Sequence, residues 1–201
     1  MEYEGLSQDD LENVRALNRA WLELEGRAQR CLSAQQLERL AATPFLLFSF
    51  REDDDAKWSH LLDEQRQQDL LTREPPISAE LNALQVAGLG FLWELVRRNP
   101  YVARLVSGAS LHWCERVATI TLVRVLECAR FRMIEPRFVR NASLWRRLLA
   151  RGSAPDKDLR VFAQIAALQS MLTSGPAAQY GRLPAAACRM PQTARQVADE
   201  V

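Results

Sequence analysis

The side chains of this chain that can do acid, base, nucleophilic or metal chemistry are few and scattered. Its only two histidines, His60 and His112, fall in different segments and belong to no nucleophile, metal or phosphate motif. His112, Cys114 and Glu115 are neighbours in sequence, but residues two apart on a helix face different directions, which favours core or boundary positions over a metal site. Asp53, Asp54 and Asp55 form an acidic run. They lack the twelve-residue calcium-loop pattern, and carboxylates at a helix start are explained by the positive end of the helix. Cys31, Cys114, Cys128 and Cys188 form no CxxC pair and no zinc spacing. Cys114 and Cys128, placed on one helix, would be about 21 Å apart at about 1.5 Å per residue, beyond disulfide reach. Reduced, buried thiols are expected, with no catalytic residue, metal or cofactor. An enzyme is the third choice, and it predicts a deep polar pocket gathering His60 or His112 with acids.

The chemistry that stands out is cationic. On a helix predicted over residues 136–151, at about 100° per residue, Phe138, Leu144, Trp145, Leu148 and Leu149 share one arc. Arg140, Arg146, Arg147 and Arg151 share the other. Guanidinium groups bind phosphates and carboxylates in bidentate fashion, so this face suits nucleic acid or an acidic protein surface, and the alternative to both is a solvated face whose charges only keep the molecule soluble. Charge is distributed to match. Residues 1–80 hold 9 Lys+Arg against 17 Asp+Glu, a net of −8, and residues 124–160 hold 10 against 4, a net of +6, within an overall charge of +1. The helix predicted over 158–173 carries Leu159, Val161, Phe162, Ile165, Leu168, Met171 and Leu172, with only Arg160, Gln164 and Gln169 to read base edges. It is a poor major-groove reader.

The elements that position these groups follow from start and stop signals. Ser7 with Asp10 is a capping-box pattern ahead of Leu11, Val14, Leu17, Trp21, Leu22 and Leu24 at helical spacing. Ser33 with Gln36 opens a short second helix that Pro44 ends. The apolar FLLFSF, Phe45 to Phe50, reads as a short strand or a buried extended segment. A third helix starts at Asp54 or Asp55 and passes through Trp58, Leu61, Leu62 and Leu70, until TREPP at 72–76 breaks it. Ser78 caps a helix that is apolar around most of its circumference, and Gly88 and Gly90 within it predict a closely packed neighbour. Asn99-Pro100 restarts the chain, Ser107-Gly108 breaks it, and a long helix is predicted over about 110–132. Helices over 136–151 and 155–173, joined by Gly152-Ser153, form the last hairpin.

Together these describe an all-α protein, a multi-helix bundle with one short extended segment near Phe45–Phe50. An N-terminal helical module (1–72), a C-terminal bundle (77–175) and a poorly ordered tail (176–201) are expected, the two modules being able to pack as one. With 201 residues and 48% hydrophobic content, the chain is long enough for a full core. The most apolar stretch is interrupted by Glu80, Asn82, Gln85 and Glu94, so no membrane span is expected, and the acidic start is unlike a signal peptide. The expected compartment is the cytoplasm.

The segments LNRAWLELEGRAQ and LSAQQLERLAATPFLLFSFREDD resemble parts of the flagellar transcriptional regulator FlhD family. Over residues 11–62, Leu32, Gln36, Leu40, Ala41, Thr43, Leu47, Phe50, Arg51 and Asp53 can be laid on its pattern. The chain lacks the middle portion between the two pieces and adds a long C-terminal bundle. The resemblance implies a bacterial helical regulator that dimerises through its N-terminal module and acts through a partner protein. On that reading Leu17, Trp21, Leu24, Leu40, Phe45 and Leu47 supply self-association as a homodimer. No DNA-binding residue carries over, so Arg140, Arg146, Arg147 and Arg151 rest on the physical argument alone. The leading expectation is therefore a non-enzymatic regulator that binds a protein or DNA. The alternative is a helical adaptor whose groove takes an amphipathic segment of a partner, without DNA binding.

Overall fold

A computed structural model describes residues 5–29, 32–63, 77–130, 134–138 and 146–173. The protein is all-α. Helix α1 (Gln8–Gln29) opens with the reciprocal cap expected of Ser7 and Asp10: Asp10 N–H donates to Ser7 Oγ at 3.1 Å and Ser7 N–H to Asp10 Oδ2 at 2.9 Å. Helix α2 (Ala34–Ala41) carries the Ser33–Gln36 capping box. Beyond it the buried run from Phe45 to Phe50 contains strand β1 (Phe48–Ser49), and α3 (Asp55–Asp63) starts where Asp54 Oδ1 accepts the Lys57 N–H at 3.2 Å.

Helix α4 (Ala79–Arg98) is the centre of the molecule. Its Leu84, Gln85, Gly88, Leu89, Phe91, Leu92, Leu95 and Val96 are buried, and it packs against α1, α5 (Pro100–Ser107), α6 (Leu111–Ala118) and α7 (Leu122–Cys128). The circumferential apolar pattern of α4 required such a position. One continuous hydrophobic core runs from Val14 through Leu40, Phe48, Trp58 and Leu92 to Cys114 and Met171, so the two halves of the chain share it. Asn99 caps α5 through Tyr101 and Val102, and Gly108 ends it with φ 72°, the left-handed region glycine enters at least cost.

Two sequence expectations are corrected here. The stretch 110–132 is not one helix. Thr119 N–H and Ile120 N–H turn back to Arg116 O and Val117 O, Thr121 Oγ1 caps a new helix by accepting the Arg124 N–H, and Trp93 Nε1 donates to Ile120 O at 2.8 Å. Threonine hydroxyls competing for backbone groups, with a tryptophan taking the freed carbonyl, divide what the apolar pattern alone reads as continuous. Cys114 and Cys128 consequently sit on separate helices, α6 and α7, both as buried free thiols.

Nor is 136–151 one helix. Arg137–Phe138 is strand β2, antiparallel to β1, with Phe48 opposite Phe138 and Ser49 opposite Arg137. A buried extended segment needs partners for its N–H and C=O groups, and this pairing outweighs helix propensity. Residues 146 and 147 are helical and lead into a π-helical turn over Leu148–Gly152, and α8 (Lys157–Thr173) follows. Arg140, Leu144 and Trp145 lie outside the described residues.

Candidate functional site

The basic face begins with Arg146 and Arg147, which lead into the π-helical turn that ends at Gly152. Arg146, Arg147 and Arg151 are all exposed, and Arg147 and Arg151, one turn apart, share a face. The turn is anchored from beneath. Leu148 and Gly152 are buried; a Cβ on Gly152 would meet Leu40 Cδ2 at 3.4 Å, and Arg39 of α2 donates to Ser153 O at 3.2 Å. The arginines thus stand on a support built from α2 and α8.

Helix α8 extends this surface in a way the sequence pattern did not show. Its apolar run reads as wholly packing, yet the residues it buries are Ala163, Ala167 and Met171, four apart, while Phe162 is 63% exposed and Leu159 48%. Small side chains on the inner stripe let the helix approach closely, and the large ones are left facing solvent. Two large apolar groups are thus exposed one turn apart on the helix that packs against the cationic segment.

The residues assigned to self-association have a different fate. Leu17, Trp21, Leu40, Phe45 and Leu47 are buried in the core of the single chain, and Leu24 packs partly buried against it. Side chains enclosed this way are not available to a second copy while the fold of the single chain is intact. The middle of α1 is tied to α2 and the segment after it: Asn18 Nδ2 donates to Phe45 O at 2.9 Å, and Glu38 pairs with Arg15 at 3.0 Å and Arg19 at 2.7 Å.

The polar groups singled out for chemistry come together only in part. His112 Nδ1 lies 3.5 Å from Asp55 Oδ1, and Ser110 Oγ donates to that same oxygen at 3.1 Å. Asp55 therefore stands between serine and histidine. In a Ser-His-Asp triad the histidine stands between the other two, so this arrangement does not have the order of that triad. His60 is exposed on α3. Asp54 is turned to Lys57, 2.9 Å away, and among the described residues no group of three or more His, Cys, Asp or Glu side chains is arranged to hold a metal ion. His112 is exposed and Cys114 buried, as their spacing required. Burial, reinforced by the Glu52 charge, pushes the Cys114 thiol up to about 12, which makes it a poor nucleophile.

One buried acid escaped the sequence reading. Glu52 is 1% exposed, and burial raises its carboxyl to about 7, although the Ser49 hydroxyl and nearby backbone amides favour the charge. Nothing in REDDD distinguishes it, because burial depends on segments distant in sequence, and Cys114 of α6 lies within electrostatic reach of it.

Among the described residues, no helix is long and apolar enough to cross a membrane. Comparison of the chain with family models, curated proteins and solved structures finds no match in any of the three.

Proposed function

We propose that this protein acts by binding rather than by catalysis, as a helical regulator or adaptor that docks an acidic amphipathic segment of a partner protein on the surface formed by residues 146–151 and α8. The observation that carries this reading is the placement of exposed Leu159 and Phe162 on the helix that packs against the segment bearing Arg147 and Arg151. Apolar anchors give such an interface its affinity, and flanking guanidinium groups select for acidic residues and speed encounter. The net of +6 over residues 124–160 supports an acidic ligand. A regulator resembling the FlhD family, working in the cytoplasm through a protein partner, fits this mode. Any homodimer would form through surfaces other than the buried Leu17, Trp21, Leu40, Phe45 and Leu47.

The test compares a synthetic acidic amphipathic helical peptide with mixed-sequence duplex DNA as ligands, each titrated across a salt series. Peptide binding that is weakened by both Phe162→Ser and the pair Arg147→Glu and Arg151→Glu supports the reading. Binding to duplex alone, falling steeply with salt and indifferent to Phe162→Ser, would replace the protein partner with nucleic acid. Absence of binding to either leaves the arginines as a solubilising face and rejects the proposal.

A further inference from the structure

We propose that the turn joining β1 to α3, residues 49–55, is a proton-controlled latch, held shut while the buried Glu52 carboxyl is neutral and released when that carboxyl ionises.

The turn is knotted by short-range bonds around a single acid. Ser49 Oγ donates to Glu52 Oε2 and accepts the Arg51 N–H at 2.9 Å. Arg51 O in turn accepts the Asp54 N–H at 2.9 Å and the Trp58 indole N–H at 3.1 Å. Arg51 itself has φ 61°, a conformation that non-glycine residues hold only where their surroundings over-determine it. Glu52 Oε1 is buried and makes no hydrogen bond, and Glu52 has no ion-pair partner among the described residues. A proton on this carboxyl removes the charge; without the proton, a carboxylate is enclosed with one oxygen unsatisfied.

The Ser49 hydroxyl and the Phe50 and Glu52 backbone amides favour the charge but do not overcome burial, and the charged groups around it do not offset it. Asp53 in the same turn opposes ionisation, and from α6 the Cys114 thiol lies within electrostatic reach. Arg104 of α5 acts on Cys114. Further along the turn Asp54 is paired with Lys57, and Asp55 with Ser110 and His112. The carboxyl titrates at about 7 in the closed turn, against an ordinary value of 4.5 once opening returns it to water. The closed state thus binds the proton more tightly. Its advantage is complete below the ordinary value, declines about tenfold per pH unit above it, and levels off once the closed form itself ionises.

Hydrogen exchange of the Asp54 and Trp58 amides in the full chain, corrected for intrinsic rates, reads the opening directly. Between about pH 4.5 and pH 8 protection should fall on the order of a hundredfold and then flatten. Glu52→Gln, which keeps the shape but cannot ionise, should abolish that dependence. A flat profile in the unaltered protein, a slope that survives Glu52→Gln, or a slope lost instead in His60→Gln or His112→Gln overturns the proposal. Should Glu52→Gln fail to fold, the carboxyl carbon shift of Glu52 in the unaltered protein decides: titration near neutrality supports the latch, and titration in the ordinary acidic range refutes it.

Discussion

Gly88 of α4 lies against the ring of Phe50 so closely that a Cβ at position 88 would stand 2.6 Å from Phe50 Cζ. The ring has no room to retreat, since Phe50 packs edge-on to Phe48 at 5.3 Å and Phe48 against Trp21 at 5.5 Å. Gly90, two residues on, would meet only Leu126 Cδ2 at 3.8 Å. Gly88→Ala should therefore destabilise by about 1–3 kcal/mol through overpacking. Gly90→Ala should be neutral or stabilise by up to about 1 kcal/mol, as alanine does in a helix interior. Urea unfolding of the two variants checks the contrast, and equal losses would contradict it.

Asn18 is the polar centre of the N-terminal half. Fully buried on α1, it donates to the carbonyls of Ala41, Thr43 and Phe45 and accepts the Leu47 N–H at 2.8 Å, fixing the chain between α2 and β1. Asn18→Ala should cost about 2–4 kcal/mol, because it leaves several buried backbone groups unpaired. Asn18→Asp should be worse, since a carboxylate would face three carbonyl oxygens. Thermal melts of both variants give the order.

Arg98 of α4 bonds Asp10 of α1, which is itself nearly buried. Burial pushes the Asp10 carboxyl up, but the Arg98 guanidinium and the Ser7 groups outweigh it and hold it below its ordinary value. A depressed folded-state value means stability that is present above the unfolded value and lost as the pH falls through the folded one. Acid titration of unfolding free energy should therefore show a loss below about pH 4 that is reduced in Asp10→Asn. An unchanged acid limb in that variant would remove Asp10 from the account.

Leu40 and Phe162 separate the core from the proposed docking surface. Leu40→Ala should cost about 2–5 kcal/mol and impair the fold of the single chain rather than dissociate copies. Phe162→Ser, at an exposed position, should change stability by no more than about 0.5 kcal/mol while weakening partner binding. Denaturant midpoints set beside sedimentation of each variant distinguish the two effects.

Local signals written in a few adjacent residues are legible in the sequence itself. The caps at Ser7, Ser33, Ser78 and Asn99, the breaks at Pro44 and Gly108, the buried FLLFSF run and the close approach at Gly88 all appear where the residue types required them. The helix expected over 136–151 failed because its amphipathic pattern carries no information about Phe48, whose unpaired backbone draws Arg137 and Phe138 into a strand. The burial of the residues assigned to self-association was not legible for a related reason. An apolar stripe says that a face must be covered, not whether the cover comes from the same chain or another.

The sequence by itself determined helical content, most helix starts and the separation of acidic from basic segments, since these depend on side chains close together in the chain. Only the tertiary structure decided that Glu52 is enclosed, that Phe162 faces outward while Ala163 and Ala167 face in, and that Asp55 stands between Ser110 and His112. Burial and polar partnership depend on which distant segments arrive at the same place, and in this fold α4 and the β1–β2 pairing settle those arrivals.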